Sequence, residues 1–258
     1  MHTYETLLQD LEKTNIRRNG TLMIHSSYKS LGDVEGRAET VLDAFIDYMQ
    51  DGLLLFPTHS WSPENLQDGL YDPQTEPACV GILPNLFMKR EGAIRSMHPT
   101  HSVTAIGDRA QEYTSYDVEA YTPCPRHGCF GRLYDENAQI LFLGVELVRN
   151  TFIHALEEWM NIPDRINPNP RTIRIKYADR VETIQLQGHQ SSLGGVHYNY
   201  DKLLQPMLDM GIAREVKIAD STSYVVEVQP MADWVLQLLK DNPQLFSDKK
   251  PVPSPVHQ

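Results

Sequence analysis

The sequence predicts an α/β protein with a central mixed sheet flanked by helices and an added β-rich element in the C-terminal third. Three observations carry that reading. Through the first 150 residues, short apolar runs ending in small polar residues alternate with stretches of helical periodicity. After Gln139 the run QILFLGV at 139–145 is apolar without a break, as a strand covered on both faces should be. After Pro163 the pattern changes to two β-rich runs, RTIRIKY and VETIQLQ, parted only by Ala178-Asp179-Arg180, which reads as a hairpin. With 258 residues, 41% of them hydrophobic, and no composition shift that marks a linker, the whole of 1–258 reads as one domain.

In chain order, Leu7, Leu8 and Leu11 fall at helical spacing in an opening helix that stops before Asn19-Gly20. TLMIHSS at 21–27 is the first strand. A turn through Leu31-Gly32-Asp33-Val34-Glu35-Gly36 leads into a helix bearing Val41, Leu42, Phe45, Ile46 and Met49. LLLFPTHS at 53–60 is the second strand, followed by a long polar loop and a helical stretch around 80–90. Strands follow at 101–107 and 139–145, then a helix opening near Asn150. Beyond the hairpin come a helix near 200–210, strands at 214–219 and 222–228, and an amphipathic helix at 231–240. The tail from about 243 is expected to be extended.

Composition narrows the function classes. A formal net charge of -11, from 34 acidic against 23 basic side chains, disfavours a nucleic-acid backbone as partner and suits a cationic one. There is no apolar run of about 18 residues and no secretory leader pattern, so neither a membrane partner nor export is expected. Three cysteines, Cys79, Cys124 and Cys129, make no CxxC pair and fit a reducing, cytoplasmic setting.

Three clusters could carry chemistry. His154, Glu157 and Glu158 share a helix face at i,i+3 and i,i+4 spacing, while Phe152, Leu156 and Trp159 can point to the core. A carboxylate beside an imidazole orients it and raises its basicity, as a general base requires; the same spacing also occurs in ordinary surface histidines on charged helices. Arg95-Ser96 followed by His98-Pro99-Thr100-His101-Ser102 sets polar donors just before a strand. With His25 and His59 at earlier strand ends, these histidines also raise a metal reading, which neither an HExxH nor a CxxC spacing supports. Finally, His25-Ser26-Ser27-Tyr28-Lys29-Ser30-Leu31-Gly32 ends a strand in hydroxyls and glycine before a helix. It offers backbone amides to a phosphate, but lacks both the P-loop and the dinucleotide fingerprint.

Taken in order, HSSYKSLGDVEG, FPTHSWS, the RSxHPTHSV pattern of Arg95 to Val103 and the NTxxHxxE pattern of Asn150 to Glu157 resemble the aminoglycoside 3-N-acetyltransferase family of antibiotic N-acetyltransferases. The resemblance spans about residues 20–165 and lies in the ordered set rather than in any one motif. It implies a family-specific fold distinct from the general acetyltransferase superfamily fold. It also implies direct transfer of an acetyl group from acetyl-CoA, without a metal, to an aminoglycoside amine, in the family the 3-amino group of the 2-deoxystreptamine ring. On that resemblance His154 is the base and Glu157 its orienting carboxylate or an ammonium contact. Ser26, Ser27, Leu31 and Gly32 would border the coenzyme, with Ser96 and Ser102 near its pantetheine arm or thioester. Cys129 stands where the family leads one to expect a small hydroxyl residue. For a polycationic acceptor, Asp72, Glu157 and Glu158 are the candidate carboxylates and Tyr71 or Trp61 the apolar wall. Three rivals remain: a relative acting on a different amine, a non-catalytic small-molecule binder on the same fold, and a histidine-based metallohydrolase.

Overall fold

The computed structural model describes residues 1–252 except Pro63 and Leu193, so the end of the tail, 253–258, lies outside the described residues. The helices are α1 (Tyr4–Glu12), α2 (Arg37–Tyr48), α3 (Ile82–Phe87), α4 (Ala110–Ser115), α5 (Cys129–Asp135), α6 (Thr151–Trp159), α7 (Leu204–Asp209) and α8 (Val228–Asp241). The strands are β1 (Thr21–Ser26), β2 (Leu53–Pro57), β3 (Leu70–Tyr71), β4 (Ile94–Arg95), β5 (Val103–Ile106), β6 (Gln139–Leu143), β7 (Arg171–Lys176), β8 (Val181–Leu186), β9 (Ala213–Ile218) and β10 (Ser221–Glu227).

Seven strands form one mixed sheet in the order β4-β5-β2-β1-β6-β10-β9. β1 runs parallel to both β2 and β6, and the outer pairings are antiparallel. Both central faces are covered, which explains the unbroken apolar runs. Leu22, Ile24, Leu54, Phe56, Leu141 and Leu143 pack under α1, α2 and α3. Met23, Leu53, Leu55, Ile140 and Phe142 pack under α4, α5, α6 and α8. α1 begins at a capping box, with the Thr3 side chain and the Thr6 side chain each accepting from the other's backbone N–H.

The added β element is a second sheet of order β3-β7-β8. The hairpin β7/β8 is antiparallel, as its sequence predicts, but β3 pairs parallel to β7 and comes from the long polar loop before α3. A small core of Tyr71, Ile173, Ile175 and Leu186 lies beneath it. The segment after 243 differs from the expected extended tail. It makes a 3-10 turn at Leu245–Ser247, with Phe246 fully buried. The helix expected near 200–210 is likewise divided, a 3-10 helix at Val196–Leu203 running into α7.

From β1 the chain crosses to β2 on one side and later to β6 on the other, so the sheet has a topological switch point at the carboxyl end of β1. In open α/β sheets a crevice for ligands opens at that place. Gly144, which follows β6 there, has φ +63°. A Cβ on it would lie 1.7 Å from Ser30 Oγ and 2.6 Å from Ser221 Oγ. Gly144→Ala should therefore cost about 2–4 kcal/mol, from left-handed backbone strain and overpacking together. Thermal unfolding should show a Tm lower by roughly 5–10 °C; an unchanged Tm would mean that Ser30 moves aside freely.

Candidate functional site

α6 starts on Asn150, whose side-chain oxygen accepts from Phe152 N at 3.1 Å, and its first turns lie beside the switch point. Phe152, Ile153 and Leu156 are fully buried and fix the helix, which leaves His154 at the edge with 22% of its side chain exposed. Glu157, one turn on, is 1% exposed. Its Oε1 accepts from Arg165 Nε at 2.5 Å and its Oε2 from the Tyr200 hydroxyl at 2.6 Å. The same hydroxyl lies 2.8 Å from His154 Nδ1, whereas Glu157 Oε2 itself is 3.6 Å from that nitrogen. Burial pushes the Glu157 carboxyl up, but the nearby His154 and the hydrogen bonds from Tyr200 and Arg165 outweigh it and hold the group below the usual carboxylate range.

Behind His154 runs a row of imidazoles. The centroid of His154 is 4.5 Å from that of His189, His189 is 5.0 Å from His101, and His101 is 4.8 Å from His59. Burial pushes His59, His101 and His189 well below the ordinary histidine range, so these rings are neutral. His98 is a brace: its Nδ1 accepts from the backbone N–H groups of Thr100 at 3.1 Å and His101 at 2.9 Å, and its Nε2 donates to Thr122 O at 2.8 Å. His25, on β1, stacks on Phe142 with a 5.4 Å centroid separation. Among the described residues no group of three or more His, Cys, Asp or Glu side chains is arranged to hold a metal ion.

The other candidates fall in different places. Ser26 and Ser27 are half-buried at the carboxyl end of β1, and Gly32 is exposed with φ +74° against the Asp220 carboxylate. The Leu31 side chain is fully buried and can offer a ligand only its backbone. Ser96 and Ser102 are also buried, with their hydroxyls occupied. Ser96 donates to the Asp117 carboxylate and accepts from Val103 N at 3.0 Å; Ser102 donates to Thr58 O at 2.7 Å and accepts from Arg95 Nε at 3.0 Å. In this conformation both brace the start of β5 rather than line a cleft.

Of the expected substrate carboxylates, Glu158 and Asp72 are engaged by other groups of the protein. Glu158 leaves the His154 face: it accepts from the Thr122 hydroxyl and from Cys124 N at 2.9 Å, tying α6 to the loop before α5. Burial raises its carboxyl pKa in spite of those bonds. Asp72 is neutralised by Lys176, at 2.7 Å, and caps its own turn through Gln74 N. Tyr71 is fully buried, donates to Ser96 O at 3.1 Å and presents no wall to a ligand, whereas Trp61 is 50% exposed. Cys129 sits at the start of α5 with its backbone N–H on Asp117 Oδ1 at 2.8 Å. Burial, then the charge of Asp117, push its thiol well up, and burial does the same to Cys124, so neither is a ready thiolate nucleophile.

Sequence reasoning did not find Tyr200, Arg165 or His189. All three lie beyond α6 in segments without a distinctive pattern, and only folding brings them to it.

The family model described as aminoglycoside 3-N-acetyltransferase matches residues 23–240. Aminoglycoside N(3)-acetyltransferase III of Salmonella sp is 30% identical over 187 residues, which covers 64% of this chain and 63% of that protein. Aminoglycoside N(3)-acetyltransferase VII of Streptomyces paromomycinus is 29% identical over 268 residues, covering 90% of this chain and 89% of that one. Among solved structures, the apoenzyme of aminoglycoside acetyltransferase AAC(3)-IVa superimposes with a TM-score of 0.82 at 19% identity, covering 95% of this chain and 91% of its own. The binary complex of AAC-IIIb with CoASH gives a TM-score of 0.80 at 19% identity, covering 98% and 99%.

Proposed function

The chain belongs to the aminoglycoside 3-N-acetyltransferase family, and from that premise we propose that it transfers an acetyl group from acetyl-CoA to an amine of an aminoglycoside, with His154 as general base. The observation that carries this reading is the placing of His154. It lies partly open beyond His189 and the buried His101 and His59, and is backed by the buried Tyr200, Glu157 and Arg165 beside the switch point.

Acetyl-CoA supplies an activated thioester. The half-buried Ser26 and Ser27 and the exposed Gly32 border the place where the coenzyme would lie, and the exposed Arg149, whose charge reaches His25 and His197, suits its phosphates. An ammonium is no nucleophile, so the acceptor must lose a proton before or during attack. His154 takes that proton, the amine nitrogen bonds to the acetyl carbon, and the carbon–sulfur bond breaks. The coenzyme leaves as thiolate, and the proton held on His154 passes to it or to solvent. The polycationic acceptor is drawn by the protein's net charge of -11. Acetylation removes one of the acceptor's positive charges, which is how the reaction would confer antibiotic resistance. A cytoplasmic location belongs to the same proposal and is supported by the three free cysteines, which suit a reducing compartment. No helix among the described residues is long and apolar enough to cross a membrane.

A second acceptor class, another amine, is favoured by the engagement of Asp72 with Lys176 and of Glu158 with Thr122 and Cys124, and by the burial of Tyr71. Thiol release from acetyl-CoA, followed across a panel of aminoglycosides and simple diamines, separates the two. Turnover is expected with at least one 2-deoxystreptamine aminoglycoside. Release with diamines alone would move the acceptor to the second class, and release with neither would sink the reading.

A further inference from the structure

Tyr200 reaches His154 from the 3-10 helix Val196–Leu203 and is 0% exposed. Its ring is held edge-on by Phe246, at 4.7 Å between centroids, and Asn199 Nδ2 donates to Phe246 O at 2.8 Å. The hydroxyl has two polar neighbours, Glu157 Oε2 at 2.6 Å and His154 Nδ1 at 2.8 Å, and only one hydrogen to give. An ionised carboxylate can only accept, and the shorter bond is the charge-assisted one, so the hydrogen goes to Glu157. Towards His154 the phenolic oxygen can then only accept, so Nδ1 must be the nitrogen that carries hydrogen. A neutral imidazole has one ring N–H, and Nε2 is left with the lone pair.

We propose that Tyr200 is a positioning residue that selects the His154 tautomer with hydrogen on Nδ1, leaving Nε2 as the atom that accepts the proton of the attacking amine. Glu157 does not set the tautomer directly, because at 3.6 Å it lies beyond hydrogen-bond reach of Nδ1. Two further observations agree. Glu157 is held below the usual carboxylate range, so it has no proton to offer, and burial pushes the Tyr200 phenol well up, so its hydrogen stays on. His189 packs on the His154 ring at 34° between planes and restrains it from turning.

The inference rests on the reading of His154 as base, and Tyr200→Phe tests it by two routes. The first needs no turnover: long-range proton–nitrogen correlation spectra of the histidine-labelled protein at pH 8.5 (about two units above the ordinary imidazole pKa), with the His154 signals assigned by their loss in His154→Gln. The native protein should show a hydrogen on Nδ1 and a bare Nε2, and Tyr200→Phe should show a mixture. The second is steady-state kinetics, where Tyr200→Phe should lower kcat on the order of ten- to a hundredfold with the acceptor KM nearly unchanged. A native His154 with hydrogen on Nε2, or a Tyr200→Phe protein with native tautomer and kcat, overturns the proposal. If the native protein turns over no acceptor, the reaction assignment fails while the spectra still decide the role of Tyr200.

Discussion

His154→Ala is expected to lose about two to four orders of magnitude in kcat, the usual worth of a general base, while binding the coenzyme as the native protein does. The substitution is a clean probe because of how the site is wired. Removing the imidazole takes away a partly exposed ring, and Glu157 keeps both of its other partners, Arg165 at 2.5 Å and Tyr200 at 2.6 Å. No buried charge is stranded, so Tm should move by only a few degrees. Glu157→Gln is the poorer probe. It would leave the Arg165 guanidinium, 3% exposed, without its counter-charge, and breaking such a buried pair costs about 3–5 kcal/mol. Its activity loss would mix folding with chemistry. Thiol-release kinetics with an accepted amine, beside titration of the coenzyme, decide the matter. If His154→Ala keeps kcat within tenfold of native, His154 is not the base.

The parts of this architecture that could be read in the sequence are those fixed by local pattern. β6 is apolar from Ile140 to Leu143 because α-helices cover both of its faces, and β7/β8 alternates because one face looks to solvent. By contrast β3 has two residues, α4 six and α5 seven, too few for either periodicity to register. The site divides in the same way. His154 and Glu157 lie one helical turn apart, so spacing alone joins them. Tyr200 and Arg165 complete the array across 46 and 8 residues, and no pattern of either segment announces it. Glu158 shows the limit of helical spacing: it gives the face from which a side chain leaves, but a long carboxylate can turn to whatever donors the next loop presents. Ser96 and Ser102 show a second limit, since a sequence displays a hydroxyl without the buried partner that occupies it.

Acidification below neutrality should destabilise this protein well before its carboxylates titrate. Five imidazoles, His25, His59, His98, His101 and His189, are buried and held below the ordinary histidine range chiefly by burial. His25, with the charge of Arg149 adding to burial, falls from 6.5 to about 3. In the unfolded chain each regains its ordinary pKa, so below 6.5 the unfolded state binds protons that the folded state refuses. Stability is therefore complete above pH 6.5 and is lost as pH falls through the window between 6.5 and the lowered folded values. At one unit below 6.5, His25 alone costs about 1.4 kcal/mol, and the other four act in the same direction. The lowered carboxyls of Glu157 and Asp72 add to the loss only at more acid pH, and the raised Glu158 opposes it there. Urea unfolding at intervals from pH 7.5 to 5.5 measures the slope, which should approach about four protons taken up per molecule unfolded at the acid end. A slope below about two protons would mean that most of these rings are protonated in the folded protein, and the neutral histidine row would have to be abandoned.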